Sequence, residues 1–356
     1  MSLERRNIAK MQGYTPGEQP DACSTIKLNT NENPYPPSPN VAAALAALDI
    51  ATLRRYPPPM ANGFRAAAAA LHGVSTANII PTNGGDELLR LAITTFADNG
   101  DCIAVTKPSY SLYPTLADVQ QCRLEEILLN DDWSMPGDFL QKALAAQAKM
   151  IILVNPHAPS GNLLSIEYLA ALARAFPGLL LIDEAYVNFV APELEHDAVP
   201  LIHEFDNVLL LRTLSKGYSL AGLRFGYGIA AESVISPMLY KTRDSYNTDL
   251  IAQQLATAAI KDTDYARENW ARVREQRQWL QQALAALGLP SAPSQSNFLL
   301  TSIPDATGAE SLYQTLKSRH ILVRYFNQDR LRNRLRITIG SPAENQALIK
   351  ALQEIL

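Results

Sequence analysis

The segment Leu211-Arg212-Thr213-Leu214-Ser215-Lys216-Gly217 sets a lysine among small and apolar residues, just after a run that reads as a β-strand. Such an amine is either solvated, as most lysines are, or partly desolvated, which lowers its pKa and makes it a usable nucleophile. Around it, Thr213 and Ser215 supply hydroxyls, and Arg224 in Gly222-Leu223-Arg224 supplies a fixed cation, all groups that bind phosphate. Upstream, the apolar run Leu179 to Ile182 ends in Asp183-Glu184-Ala185-Tyr186. Ligands of parallel α/β sheets sit beyond the carboxyl ends of the strands, so Asp183 either meets one or caps the following turn. A third stretch, Thr82-Asn83-Gly84-Gly85-Asp86-Glu87, lies between a strand and a helix. Its glycines admit backbone N–H groups to an anion at the positive helix end; an ordinary turn capped by Asp86 is the alternative. The dinucleotide spacing G-x-G-x-x-G is absent from it.

Taken singly, each constellation has a plain structural explanation. Together they place an acid at one strand end, an amine at another and phosphate-binding groups at two more, a demand that independent accidents seldom meet. A ligand with a phosphate, a carbonyl for Lys216 and a ring nitrogen for Asp183 uses all of them, and pyridoxal 5'-phosphate has those three handles.

The elements that must position these groups follow from the hydrophobic pattern. Between Ile79 and Gly228 short apolar runs alternate with helix-like segments, as parallel βαβ units require. The expected strands are Ile79 to Pro81, Cys102 to Thr106, Arg123 to Leu128, Met150 to Val154, Leu179 to Ile182, Val208 to Arg212 and Arg224 to Ile229. Helices are expected at Glu87 to Phe96, Tyr110 to Gln120, Phe139 to Gln147 and Ile166 to Ala175. Strands apolar at nearly every position are covered on both faces. Residues 1–40 are rich in proline and read as an extended arm, residues 41–250 as a large domain, and residues 251–356 as a small α+β domain. The last contains a long helix through Trp270, Val273, Leu280 and Leu284 that Gly288 and Pro290 end, then strands at Asn297 to Thr301, Ile321 to Tyr325 and Leu335 to Ile339.

Composition removes other classes. The 356 residues carry 31 Lys+Arg against 35 Asp+Glu, a net charge of −4, so no basic excess exists to neutralise nucleic-acid phosphates. No apolar run approaches the roughly 20 residues a bilayer span requires, and the charged N-terminus lacks a signal-peptide core. Cys23, Cys102 and Cys122 are an odd number without metal-like spacing; no metal site is expected, and a reducing cytoplasm is the expected compartment.

The stretches Leu28 to Tyr35 (LNTNENPY), Arg55-Tyr56-Pro57, Asn83 to Asp86, Pro108-Ser109-Tyr110, Asn155-Pro156, Asp183 to Tyr186, Thr213 to Lys216, Gly222 to Arg224, Ser296-Asn297-Phe298 and Leu335-Arg336-Ile337 run in order over nearly the whole chain. In this order they resemble the fold-type I pyridoxal-phosphate aminotransferases, most closely the histidinol-phosphate branch. The resemblance implies an α/β fold: a three-layer large domain on a mostly parallel sheet, with a smaller α+β domain built from the C-terminal part and the N-terminal arm. It implies that Lys216 bonds the cofactor and shuttles a proton, that Asp183 holds the ring nitrogen, that Tyr186 bonds the ring hydroxyl and that Tyr110 stacks on the ring. Gly84, Gly85, Asp86, Thr213, Ser215 and Arg224 would cradle the phosphate. A homodimer is implied, with Tyr56 and the arm reaching into the partner's site. The substrates would be amino acids and keto acids, here L-histidinol phosphate and 2-oxoglutarate, held by Arg336, Arg324 and Tyr14. An aminotransferase for aromatic amino acids, a phosphoamino-acid decarboxylase and a non-catalytic binding protein on the same fold are the other readings.

The chain departs from that pattern at Asn155-Pro156-His157-Ala158-Pro159-Ser160-Gly161, where the family commonly reads Asn-Pro-Asn-Asn-Pro-Thr-Gly. The second asparagine of the family pattern usually bonds the ring hydroxyl. With Ala158 in its place, that bond falls to Tyr186, to Asn155 or to a neighbour, and His157 is free to face the substrate.

Overall fold

The computed structural model describes residues 3–15, 17–20 and 24–356, so Cys23 lies outside the described residues. In chain order the strands are β1 (Ile26–Lys27), β2 (Ile79–Thr82), β3 (Cys102–Lys107), β4 (Arg123–Leu128), β5 (Ala148–Val154), β6 (Leu179–Asp183), β7 (Val208–Thr213), β8 (Gly226–Ala230), β9 (Phe298–Ser302), β10 (Ile321–Leu322), β11 (Arg324–Tyr325) and β12 (Arg334–Thr338). Seven of them form one sheet in the order β2-β8-β7-β6-β5-β3-β4. Its neighbours from β4 to β7 are parallel, and only β8 runs against them, antiparallel to both β7 and β2.

Alternate side chains of these strands enter two different apolar clusters. Met150, Ile152 and Val154 join one face with Leu179, Leu181, Leu209 and Leu211. Ile151 and Leu153 join the other with Leu180, Ile182, Val208 and Leu210. That is the two-residue period of a strand expressed in a sheet covered on both sides. The first face is closed by helices including Gly84–Phe96 and Leu112–Gln120, the second by Asn62–His72, Phe139–Ala145 and Ile166–Ala175. Local chemistry sets several helix starts: Ser165 Oγ accepts from the Tyr168 N–H, Asp249 caps Leu250–Lys261, and Ser341 with Glu344 forms a capping box ahead of Pro342–Ile355.

The small unit is an antiparallel sheet, β11-β12-β9, packed with the helices Thr263–Ala286, Ala309–Ser318 and Pro342–Ile355. The arm joins it through β1, which pairs in parallel with β10. Val273, Leu280 and Phe298 belong to the same apolar cluster as Ile103 and Leu181, so the two units share one core.

Several expectations change on contact with the fold. At the expected boundary of 251, Ala252, Leu255, Ala256 and Ile260 of helix Leu250–Lys261 share an apolar cluster with Phe64 and Ala68. The strand expected from Arg224 starts only at Gly226, since Arg224 occupies a left-handed turn at φ 55°. The strand expected over Ile321 to Tyr325 divides at Val323, its first half pairing with the arm and its second with β12.

Candidate active site

A cleft of about 520 Å³ opens at the carboxyl ends of the parallel strands. Register explains why its groups converge. Gly226 of β8 pairs with Thr213 on one side and Thr82 on the other, so the end of β7, the start of β8 and the turn into helix Gly84–Phe96 meet at one level. Asp183, at the end of β6, pairs with Leu211 and with Val154 beside it.

At that meeting point the backbone comes very close. A Cβ on Gly84, whose φ is +76°, would lie 2.5 Å from Arg224 Nη2, and one on Gly226 would lie 2.8 Å from the Gly84 carbonyl carbon. Only hydrogen fits there, leaving the first-turn amides of the helix open to an anion beside the guanidinium. The Thr213 hydroxyl donates to Ser215 Oγ at 2.9 Å and accepts from the Ser215 N–H at 3.1 Å. Both hydroxyls, with Gly85 and Arg224, line the cleft. Asp86 carries a carboxylate, which only accepts; it faces Arg224 at 3.6 Å and takes the Tyr110 hydroxyl at 3.4 Å. What Asp86 offers an anion is therefore its backbone N–H. These groups fit a phosphate ester.

Asp183 is 5% exposed. Burial is the largest influence on its carboxyl and raises it to about 6, against hydrogen bonds from the Tyr113 hydroxyl at 2.9 Å and the Ala185 N–H at 3.1 Å. Lys216 donates to the Thr30 carbonyl at 2.8 Å. Its amine is pushed down to about 8, first by burial and then by the Arg336 guanidinium, with Glu32 opposing. The Tyr186 hydroxyl accepts from Asn31 Nδ2 at 3.0 Å, and burial pushes its pKa up. Tyr110 stands edge-on to Tyr113 and to Tyr14, with ring centroids 5.5 and 5.8 Å apart. The cleft thus holds a buried acid, a depressed amine, a phenol and an anion cradle, which is the donor set a phosphorylated pyridine aldehyde needs.

Two further cations reach the cleft from the small unit. Arg324 and Arg336 are direct cross-strand partners on β11 and β12, and both line the cleft. Arg336 Nη2 donates to the Asn29 carbonyl at 3.1 Å, while its buried Nε has no partner. Tyr14 of the arm lines the same cleft. The arm is tied to the rest of the chain by Arg5 on the Val119 carbonyl and Asn7 on the Asp118 carbonyl, and is held to itself by Asn29 on the Glu18 carbonyl.

One expected residue stands elsewhere. Asn155 is fully buried, and its side-chain amide is taken up by both backbone groups of Leu164, receiving the N–H at 2.8 Å and donating to the carbonyl at 3.3 Å. It closes a loop and does not line the cleft. Tyr56, expected to reach a partner's site and not its own, is 80% exposed and stacks on Tyr246 at 4.4 Å. His157, in place of the family asparagine, faces no substrate. Its Nε2 meets the Pro108 carbonyl at 3.0 Å, which fixes the proton there, and Nδ1 accepts from Ser160 Oγ at 2.7 Å. Burial lowers its pKa to about 4, so it is a neutral strut under the loop that carries Tyr110.

Sequence reasoning missed Tyr113, Thr30 and Asn31 as supports of Asp183, Lys216 and Tyr186. Asn31 had a signal: a polar residue that tolerates positive φ, here 56°, inside a run of alternating asparagines.

A family model described as aminotransferase class I and II matches residues 24–352. A histidinol-phosphate aminotransferase of Geotalea daltonii is 45% identical over 352 residues, covering 99% of each chain. Histidinol-phosphate aminotransferase 1 of Trichormus variabilis is 42% identical, over 99% of this chain and 98% of its own. Among solved structures, histidinol-phosphate aminotransferase from Sinorhizobium meliloti in complex with pyridoxal-5'-phosphate superposes with a TM-score of 0.91 at 26% identity, over 100% of this chain and 98% of its own.

Proposed function

From the premise that the chain belongs to the class I and II aminotransferases, we propose that it moves an amino group between L-histidinol phosphate and 2-oxoglutarate, a step of histidine biosynthesis. The observation that carries the substrate reading is the cross-strand pair Arg324 and Arg336. Like charges directly opposite on neighbouring strands are unfavourable unless something anionic joins them. A phosphate or a dicarboxylate does so, and a guanidinium fork suits both.

Pyridoxal 5'-phosphate, when bound, supplies a carbonyl to hold the amino group and a ring that withdraws electrons from the substrate's α-carbon. Gly84, Gly85, Thr213, Ser215, Arg224 and the Asp86 amide would hold its phosphate. Asp183 would hold the ring nitrogen protonated, Tyr186 the ring hydroxyl, Tyr110 the ring face and Lys216 the carbonyl. The remaining chemistry belongs to the chain. Arg324 and Arg336 bind the incoming acid and set its α-carbon before Lys216. Burial and the Arg336 guanidinium lower the pKa of that amine to about 8, which raises the share of unprotonated amine that can remove the α-proton. The Thr30 carbonyl holds the amine in place between transfers. Because the amino group of one substrate is kept for the next, the same arginines must accept the carboxylate of glutamate and the phosphate of the other substrate in turn.

Tyr56 and Tyr246, with Ile50 at 70% and Leu53 at 44% exposure, give an apolar surface suited to a second copy of the chain, which supports a homodimer of 39.0 kDa subunits. The two buried free thiols, Cys102 and Cys122, support a reducing cytoplasm. Among the described residues no helix is long and apolar enough to cross a membrane. The test is a single-turnover spectrum of the protein carrying its cofactor, mixed separately with L-histidinol phosphate and with phenylalanine. Loss of the yellow band with histidinol phosphate alone is expected. Equal or faster loss with phenylalanine would replace this reading by a broader aminotransferase, and a protein that takes up no cofactor would remove it.

A further inference from the structure

Away from the chemistry, where the large domain meets the small one, Trp133 is buried at 4% exposure, with two guanidiniums against its ring: Arg330 at 4.9 Å and Arg334 at 5.2 Å. Arg330 also donates from Nη1 to the Leu129 carbonyl at 2.6 Å and from Nη2 to the Asn130 carbonyl at 2.5 Å, with Asp131 at 3.6 Å. One small-unit side chain thus grips the 129–133 loop of the large domain by two carbonyls and an aromatic face. The loop is fixed from the other side by Asn162, which donates to the Trp133 carbonyl at 3.0 Å. Both Trp133 and Arg330 hold left-handed backbone, φ 70° and 69°, a conformation that side-chain-bearing residues keep only when their surroundings impose it.

The grip leads directly to the substrate end. Leu331, next to Arg330, packs in one cluster with Trp133, Leu129 and Leu300, and Phe326 packs against that cluster. Leu331 and Phe326 also line the cleft. The Phe326 ring in turn carries both substrate-side cations, Arg324 at 5.2 Å and Arg336 at 5.4 Å. We propose that Arg330 is a positioning residue for substrate binding: clamped on Trp133 and the 129–130 carbonyls, it fixes the 326–331 loop and thereby the placement of Arg324 and Arg336. The inference rests on the reading of those two arginines given above.

The test compares Arg330→Met with the parent enzyme, both carrying cofactor. Methionine keeps the apolar stem and removes every polar contact. Displacing binding groups by a fraction of an ångström to an ångström costs roughly ten- to a hundredfold. The expected result is a rise of about tenfold in KM for both glutamate and the phosphorylated substrate, with kcat within about threefold. The dissociation constant of the inert dicarboxylate glutarate, read from the shift it causes in the cofactor band, weakens in parallel. The unliganded band itself stays unchanged.

Arg330→Lys restores only part of the affinity, because an ammonium cannot span two carbonyls and stack as well. Trp133→Phe, which keeps an aromatic face, falls between the parent and Arg330→Met and stands in if that variant does not fold. Unchanged KM and glutarate binding with lowered thermal stability would overturn the proposal and make the clamp merely structural. If the parent prefers phenylalanine to histidinol phosphate, the substrate assignment fails, while glutamate and glutarate still decide the clamp.

Discussion

Asp183 should cost the cofactor-free protein stability, and the cost can be measured by removing its charge. Its carboxyl, at 5% exposure, is raised from 3.8 to about 6, chiefly by burial. A folded pKa above the unfolded one means that the folded state binds the extra proton between those values. Stability therefore falls as pH rises from about 4 to 6 and stays low above that. Roughly two pH units at 1.36 kcal/mol each give a penalty of about 3 kcal/mol at pH 8, with about half of it present at pH 5. Asp183→Asn keeps the shape and an acceptor for the Tyr113 hydroxyl but has no proton to lose. Urea unfolding of the two cofactor-free proteins at pH 5 and pH 8 is the assay. The variant should gain on the parent by a further ~1.5 kcal/mol between the two pH values, while losing cofactor affinity and turnover. A stability difference that is flat with pH, or that shrinks as pH rises, would refute the argument that Asp183 is a buried charge awaiting a cation.

Three further outcomes follow from the geometry. Gly84→Ala puts a methyl 2.5 Å from Arg224 Nη2 at a positive-φ position, so cofactor affinity measured by absorbance titration should fall at least about tenfold, with the fold retained. Arg336→Lys replaces a fork by a point charge; KM for glutamate and for the phosphorylated substrate should both rise by roughly ten- to a hundredfold, and a rise for only one would separate their sites. His157→Leu leaves the buried Pro108 carbonyl without its donor and should cost about 1–3 kcal/mol in urea unfolding near pH 8; the cost shrinks as pH falls from about 6.5 towards 4, where the unfolded imidazole takes up a proton that the folded one refuses, and is constant only above about pH 7.

What could be read from the sequence was whatever depends on local pattern. The apolar runs ending in Asp183 and Thr213 mark their own strands, and the glycines at 84 and 85 mark the tight approach that the sheet register then explains. The direction of β8 was not legible, because a buried strand carries the same apolar run whichever way it points. The packing partners of helix Leu250–Lys261 are illegible for a similar reason: its apolar face says that it is buried, not that Phe64 and Ala68 lie against it. Asn155 and His157 show the other limit. A buried polar residue must find partners, but whether it finds them in a ligand or in its own loop depends on chain distant in sequence. The supports of the site, Tyr113, Thr30 and Trp133, are ordinary residues whose importance comes only from what folds onto them.

The pairing of β2 with β8 also bears on how the molecule is assembled. Ile79 lies opposite Ile229, and nearly the whole large-domain sheet is encoded between them. Contacts this far apart in sequence carry a large loop-closure cost, since the intervening chain must be ordered for them to hold. Yet it is this pairing that brings Gly84 to Arg224 and so completes the anion cradle. A chain that has not seated its edge strand cannot hold a phosphate, whereas a chain that has is stabilised by one. A phosphate that binds this cradle thus holds the first strand of the sheet and its last together, so the ligand that equips the protein for chemistry also stabilises the closed sheet.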